Sequence, residues 1–225
     1  MEQQFQYYAF ISYKREDEKW AKWLQDRLRW YKLPSKLCRQ ITRLPKKVWP
    51  VFRDNTDLDS GRLEENIRHE LERSHYLIVI CSPEAARSPW VGKEVKYFAT
   101  LHGADKIIPF VVSGIPYSND IETECIHEQI KAISQEELLA INVREEGIGS
   151  FAMKKKRAFI RVVARLLDIK FNTLWQPYER ILRIRKWSTG IGVVLFLFVL
   201  FILWDYYRTK NEYFADYVDR WGIPE

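Results

Sequence analysis

A chain of 225 residues is long enough for one well-cored domain with an extension, and it is short for two full domains. Its hydrophobic content of 47% fits a folded protein. The net charge of +6 arises mainly from the basic residues in 150–187, which lie beside an apolar segment rather than within a nucleic-acid-reading motif, so we expect no nucleic-acid partner.

Segments of strand and helix character alternate along residues 1–170. Apolar runs typical of buried strands lie at 7–12, 48–52, 76–81, 106–112 and 138–143, and Pro50 favours an edge position for the second run. Helical spacing of apolar residues recurs at 16–31, 63–74 and 154–170, and residues 113–137 show no pattern that we can assign. The alternation predicts an α/β fold, a flavodoxin-like five-stranded parallel sheet with helices on both faces.

The loops after the first three strands should meet at one edge of this sheet. In parallel α/β sheets, ligands bind outside the carboxyl ends of the strands, near a topological switch point. The candidate residues lie in these loops and in the helix that follows the third loop, and they supply hydroxyl groups, cations, aromatic rings and one carboxylate. They are Ser12, Tyr13, Lys14, Arg15, Arg53, Ser88, Trp90 and Glu94. Each also has a purely structural explanation, such as the cap of a turn at Ser12 or an ion pair between Arg53 and Asp54.

The stretch "SPWVGKEVKYF" at 88–98 predicts a helix that Ser88 caps and that Pro89 begins. Trp90 and Glu94 are four residues apart on this helix, so they share one face. The sequence therefore predicts an aromatic ring and a carboxylate side by side at the start of a helix at the sheet edge.

Four motifs occur in order along the first 100 residues. They are "FISY" in the first strand, "RDxxxxxxG" after the second, "LIVICSP" in and after the third, and "WVxxE" in the following helix. Together they resemble the Toll/interleukin-1 receptor (TIR) domain family over about residues 5–170. The "SPWVGKE" form is similar to the enzymatic branch of that family, found in bacterial and plant TIR proteins and in the animal axon-degeneration NADase.

The resemblance implies a function and a set of residue roles. Glu94 would be the catalytic residue of an NAD+ nucleosidase (NAD glycohydrolase) that makes nicotinamide and linear or cyclic ADP-ribose, with NAD+ as substrate and no cofactor. Trp90 would stack on a ring, Arg53 or the pair Lys14 and Arg15 would hold the pyrophosphate, and Ser12, Tyr13 and Ser88 would line the pocket.

The loop after the second strand would mediate self-association in this family. Its polar and glycine residues here are Arg53, Asp54, Asp57, Asp59, Ser60 and Gly61. The family often has Pro-Gly where this chain has Ser60-Gly61, which affects the expected assembly geometry and not the catalytic face. The resemblance further implies activation on self-association and, in a bacterium, an immune role against phage.

Two other functions stay open at this point. One is a non-enzymatic adaptor that signals by assembly of TIR domains at a membrane; adaptors without activity often lack the glutamate that this chain has. The other is an effector that disrupts the bilayer when it clusters, for which a single short apolar helix is little support.

Residues 188–207 form an apolar segment that follows Trp187 and ends with Trp204, Tyr206 and Tyr207. Its length is close to the roughly 20 residues of a membrane-spanning helix, and a buried core helix is the alternative. Lys and Arg accumulate before it, which predicts a single-pass membrane protein with a cytoplasmic N-terminal domain. The expected organisation is a TIR domain at 1–170, a basic juxtamembrane segment at 171–187 that attracts anionic lipids, and the span at 188–207. Residues 208–225 would be an extracytoplasmic tail that senses a signal or the start of a further region, and an upstream sensor or receptor is a candidate partner.

The three cysteines and four histidines show no spacing typical of metal ligands. We therefore expect free thiols and no metal site.

Overall fold

The computed structural model describes residues 5–41, 44–45, 47–53, 62–133, 139–144, 149–176 and 193–210. Within them, the strands are β1 (Tyr7–Ser12), β2 (Val51–Arg53), β3 (Ser74–Cys81), β4 (Ile107–Val111) and β5 (Ile141–Asn142). They form one sheet in the order β2-β1-β3-β4-β5, and every neighbouring pair is parallel. The predicted five-stranded parallel sheet is confirmed, and β2 lies at an edge, as Pro50 indicated.

The described helices connect these strands. They are α1 (Glu18–Trp30), α2 (Ser35–Gln40), α3 (Arg62–Glu72), α4 (Pro83–Ala86), α5 (Pro89–His102), α6 (Glu128–Ile133) and α7 (Phe151–Leu166). Short 3-10 helices occupy Arg15–Asp17 and Ala104–Lys106, and residues 171–176 and 193–210 are also helical. Helix α5 is followed by Gly103, whose φ of 86° is a conformation that glycine adopts without steric cost.

Alternate residues of the central strands are buried on opposite faces of the sheet. Phe10, Leu77 and Val79 belong to a cluster with buried residues of α3, α5 and α6. Their strand neighbours Ile78 and Ile80 are also buried, and since side chains alternate along a strand they lie on the other face. There the ring of Trp23 in α1 stacks on Phe110, and Phe159 of α7 meets Trp23 edge-on. Helices therefore cover both faces.

The element bounds differ from the prediction where pairing decides them. Strand β3 begins at Ser74 rather than at 76 because Ser74 pairs with Tyr7 of β1. Strand β2 is limited to the three residues that pair with Ala9, Phe10 and Ile11. Helix α7 begins at Phe151, three residues before the predicted start, and the unassigned segment 113–137 contains α6.

The chain divides into two compact units, Met1–Leu174 and Trp175–Glu225. In the second unit, the helix at 193–210 carries exposed apolar side chains along Val193–Trp204 and the charged residues Asp205, Arg208 and Lys210 near its end. Among the described residues, no helix has the length and apolar character needed to cross a membrane. The predicted span at 188–207 is thus not supported, since its described part belongs to a helix with three charged residues; its first five residues lie outside the described ones.

Candidate functional site

The strand order places a topological switch point between β1 and β3. The connection through α1 leads from β1 to β2 on one side, and the next connection, which includes α3, leads to β3 on the other side of β1. Connections that diverge in this way leave a crevice outside the carboxyl ends of the two strands. Ser12 is the last residue of β1, and Ser82 directly follows β3. Both serines therefore lie at the edge where the sequence predicts the site.

Ser12 and Glu94 are joined at this edge by a hydrogen bond. The Ser12 hydroxyl donates to Oε2 of the Glu94 carboxylate. Ser12 is 1% exposed and Glu94 is 5% exposed. Carboxylates are almost never this deeply buried without a partner, because the desolvation of an ionised group is costly. The first strand and helix α5 are thus tied together through a buried carboxylate.

The start of α5 is held in place by its cap and by a histidine. The Ser88 hydroxyl accepts from the Val91 N–H at 3.5 Å, and Pro89 is the first helical residue. His127 Nε2 lies 3.1 Å from the Ser88 carbonyl oxygen, and His127 Nδ1 accepts from the Gln129 N–H at 3.0 Å. Because a carbonyl oxygen only accepts, this pattern assigns the Nε2–H tautomer.

Gly92 allows this histidine to lie directly against the helix. A Cβ at residue 92 would stand 2.5 Å from His127 Cε1 and 2.7 Å from Nε2. No side chain larger than hydrogen fits there without displacing the ring. Burial lowers the pKa of His127, with the Ser88 carbonyl and Glu128 acting in the opposite direction.

A cavity of about 310 Å³ opens between α3 and α5. Trp90 and Glu94 both line it, so the structure brings the predicted ring and carboxylate to one cavity. The other described residues of its wall are Ile67, Arg68, Leu71, Lys93, Lys96, Tyr97 and Thr100. A mostly apolar concavity with a few converging polar groups is the usual form of a small-molecule site.

Arg53 lies in a different set of contacts. Its guanidinium donates to Gln25 Oε1 at 3.1 Å, to the Tyr13 hydroxyl at 3.1 Å and to Glu18 Oε1 at 3.3 Å. Its side chain is 8% exposed. The two predicted residues Tyr13 and Arg53 are therefore brought together, next to α1. Neither is among the described residues that line the cavity.

A second buried carboxylate lies at the same sheet edge. The Ser82 hydroxyl donates to Asp17 Oδ2 and accepts from the Ala85 N–H at 3.1 Å, which caps α4. Burial raises the pKa of Asp17, the hydrogen bond from Ser82 lowers it, and Glu84 and Glu16 raise it further. The sequence motifs predict no role for this pair, although Asp17 follows β1 in one of the loops expected to meet at the ligand-binding edge of the sheet.

The remaining predicted residues lie in several places. Lys14 is half-buried and Arg15 exposed in the loop after β1, and neither is among the described residues of the cavity wall. The self-association loop, apart from Arg53, falls at 54–61, outside the described residues. The roles assigned to all of these residues stay predictions.

Several residues of the site were missed for identifiable reasons. His127 falls in the segment to which no element was assigned. Lys93 and Tyr97 follow Trp90 at helical spacing and could have been found by extending that face of α5. In the part of the chain that the structure describes, no three His, Cys, Asp or Glu are placed to hold a metal ion, and the absence of a metal site stays a prediction.

Comparison with known proteins agrees with the motifs. Residues 9–146, more than half of the chain, match the family of TIR domains. The chain is 36% identical over 110 residues to the NAD(+) hydrolase ApTIR of Actinoplanes sp. (strain ATCC 31044 / CBS 674.73 / SE50/110). That match covers 48% of the chain and only 14% of the length of the relative. A solved structure of the TIR domains of the activated Roq1 resistosome, which directly recognises the pathogen effector XopQ, is similar with a TM-score of 0.44 and 14% identity, over 68% of this chain and 98% of the other.

Proposed function

The chain belongs to the TIR domain family, and from that membership we propose that it is an NAD+ glycohydrolase with Glu94 as its catalytic carboxylate. The observation that carries the proposal is the buried Glu94 in the wall of a cavity that it shares with Trp90. The similarity to an NAD+ hydrolase over 110 residues supports it. The products are nicotinamide and ADP-ribose, in linear or cyclic form.

One carboxylate is sufficient for this reaction. Cleavage between nicotinamide and ribose passes through an oxocarbenium-like state, as glycoside hydrolysis does. A glycosidase needs a second carboxyl group to protonate the leaving oxygen, whereas the nicotinamide of NAD+ is already cationic and leaves as a neutral base. Glu94 stabilises the positive charge that develops on the ribose, and a buried carboxylate does so more strongly than one in water.

Ser12 and Trp90 support that carboxylate in different ways. The hydrogen bond from Ser12 fixes the orientation of the Glu94 carboxylate, which acts on the ribose. Trp90 lies one turn earlier on α5 and offers an aromatic face for stacking of the nicotinamide ring.

The proposal extends to how the enzyme is controlled. We infer activation by self-association through the loop that begins at Arg53, and an immune role in which NAD+ loss limits phage growth, because the motif resemblance implies both. Contact with anionic lipids through the basic residues of 150–187, and a partner that delivers the trigger, are parts of the same proposal. The high density of Lys and Arg there supports the lipid contact.

The test is NAD+ loss in cells that express the full chain, fused to a domain that forces clustering on addition of a ligand. Glu94→Gln keeps the size of the side chain and an acceptor for Ser12, and removes the charge. We expect cleavage to fall by about 100-fold or more, the range seen when one group that stabilises a transition-state charge is removed. Glu84→Gln is the matched control, since Glu84 is an exposed carboxylate in α4 outside the cavity wall.

If the clustered wild type leaves NAD+ intact, the enzyme proposal is wrong, and the adaptor function replaces it. In that case binding partners of the clustered domain become the next measurement. Melting temperatures of all variants show whether a loss of cleavage is merely a loss of folded protein.

A further inference from the structure

Helix α5 carries Trp90 and Glu94 on one face and is held from the opposite face by His127. We propose that His127 is a positioning residue for the reaction: its neutral ring holds the first turns of α5, and with them Trp90 and Glu94, in the geometry for cleavage, and protonation of the ring releases those turns. This inference rests on the proposed function where it concerns cleavage, whereas the hold on α5 can be measured without NAD+.

The position of His127 behind the helix is the first observation. Gly92 is two residues from Trp90 and two from Glu94, and two residues on a helix are about 200° apart, so Gly92 lies on the face turned away from the cavity. A Cβ at residue 92 would stand 2.5 Å from His127 Cε1. The ring therefore lies directly against the turn between the two proposed site residues, and a displacement of the ring is passed to that turn.

The Ser88 carbonyl joins the ring to the first hydrogen bond of the helix. This oxygen accepts from the Gly92 N–H at 3.2 Å, and His127 Nε2 lies 3.1 Å from it. A carbonyl oxygen has two lone pairs, so these two donors satisfy it fully. Ser88 is buried, and withdrawal of the ring would leave its carbonyl oxygen with one donor in a place poorly open to water.

The other side of the ring is fixed to α6, which packs on α5. His127 Nδ1 accepts from the Gln129 N–H at 3.0 Å. The segment that leads to the ring is anchored by Glu124, which accepts from the Ile126 N–H at 2.6 Å and pairs with Lys131 of α6. The ring thus connects two helices through both of its nitrogens, and it cannot turn without losing both hydrogen bonds.

This pair of hydrogen bonds requires a neutral ring. A protonated imidazole donates from both nitrogens, so its Nδ1–H would meet the Gln129 N–H, a second donor. Burial lowers the pKa of His127 by more than the Ser88 carbonyl and the charged Glu128 of α6 raise it. On the side of α5, the ring faces the uncharged Ser88 carbonyl and Gly92. The folded protein therefore keeps the positioning form of the ring at neutral pH.

Two substitutions separate positioning of α5 from support of α6. His127→Gln places an amide N–H near the position of Nε2, so it can donate to the Ser88 carbonyl, and it does not titrate. His127→Asn is shorter: its oxygen can accept from the Gln129 N–H, but its amide does not reach Ser88. In the clustered full chain at pH 7.5, kcat for NAD+ per folded molecule should fall by about tenfold or more in His127→Asn, and glutamine should restore most of it. KM should change less, because His127 is not among the described residues of the cavity wall.

The pH profile of kcat is the second readout. The ratio of the wild-type kcat to the His127→Gln kcat should decline from pH 7.5 to pH 5.5, because only the wild-type ring takes up a proton. Groups that titrate in both proteins cancel in this ratio. His75→Gln is the control: His75 lies near the start of β3, at the sheet edge opposite the site, and burial lowers its pKa too. Its kcat should follow the wild-type profile.

Hydrogen exchange of α5 separates this inference from the proposed function. Protection of the amides of 92–95, corrected for the intrinsic effect of pH, should fall between pH 7.5 and pH 5.5 in the wild type and less in His127→Gln. Equal protection in the two proteins, a constant ratio of their kcat values, or a folded His127→Asn with the wild-type kcat would each overturn the role of His127. If the difference in protection is found and the clustered wild type leaves NAD+ intact, the glycohydrolase is wrong and the hold of His127 on α5 stands.

Discussion

Ser12 and Glu94 are 82 residues apart in sequence and share a buried hydrogen bond at the switch point of the sheet. Ser12 ends β1, and Glu94 lies within the second turn of α5. A buried carboxylate needs such a partner, and the strand end supplies it at a fixed position. The consequence is that the geometry of the proposed reaction depends on the packing of β1 against β3 and α5.

Replacement of Ser12 by alanine should reduce both stability and activity. The variant leaves one oxygen of a buried carboxylate without its donor, and the free energy of unfolding should fall by about 2 kcal/mol. NAD+ cleavage should fall as well, because Glu94 is no longer held in one orientation. Urea unfolding and a clustered NAD+ assay measure the two effects.

Ser74→Ala is the control for that variant. Ser74 is fully buried in β3, and its hydroxyl donates to the Glu70 carbonyl oxygen at 2.7 Å, away from the cavity. It should lose stability and keep cleavage per folded molecule. A Ser12→Ala protein that cleaves NAD+ as fast as the wild type would show that the hydrogen bond has no part in catalysis.

The fold could be predicted from the sequence because its strands are short apolar runs and its helices carry apolar residues at helical spacing. The run at 76–81 is buried on both faces of the sheet, which is why it lacks alternation and stands out. Element ends were less predictable, since they depend on partners far away in sequence: Ser74 joins β3 only because Tyr7 lies opposite.

The site could be predicted only in part. The helical spacing of Trp90 and Glu94 predicts a shared face, and both line one cavity. The position of Ser12 at the end of the first strand predicts its place at the ligand-binding edge of the sheet, where it contacts Glu94. The partners of Arg53 and the contact of His127 with Gly92 arise from tertiary packing, and no local pattern reports them. The cations of α3 and α5 face each other only after the helices have packed.

Gly92→Ala should disturb the start of α5. Its Cβ would come within 2.5 Å of His127 Cε1, so the imidazole must move and its contact with the Ser88 carbonyl is lost. Overpacking of this kind costs about 1–3 kcal/mol. The shift also moves Trp90 and Glu94, so NAD+ cleavage should fall. The double variant Gly92→Ala with His127→Ala should recover part of the stability, and a Gly92→Ala protein as stable as the wild type would contradict this account.

Stability should decline as the solution is acidified below pH 6.5. Burial holds the pKa of His127 below its ordinary value of 6.5, so the folded state keeps the ring neutral after the unfolded chain has taken up a proton. The stabilising contribution of the neutral His127 ring is fully present above pH 6.5, and it is lost as the pH falls from there toward the lower pKa of the folded state. Protonation of Nδ1 would also remove the acceptor of the Gln129 N–H.

Urea unfolding at pH 7.5, 6.5 and 5.5 measures this loss. His127→Gln should make the pH dependence shallower without abolishing it, because burial lowers the pKa of His75 and His102 too. An equal slope in His127→Gln and wild type would mean that His127 does not contribute.

Asp17→Asn should stabilise the protein at neutral pH. Burial raises the pKa of Asp17, so the folded state binds its proton more tightly than the unfolded chain does. The stabilising contribution of the protonated carboxyl is present below the ordinary pKa and is lost as the pH rises through the raised one, which leaves a buried charge at pH 7. Asparagine removes that charge and keeps an oxygen to accept from Ser82. Its advantage in melting temperature over the wild type should therefore shrink from pH 7 toward pH 4.

Asp17→Ala, which leaves the Ser82 hydroxyl without its acceptor, should instead cost about 1 kcal/mol or more at both pH values, and an asparagine variant whose advantage grew on acidification would contradict the buried-charge explanation.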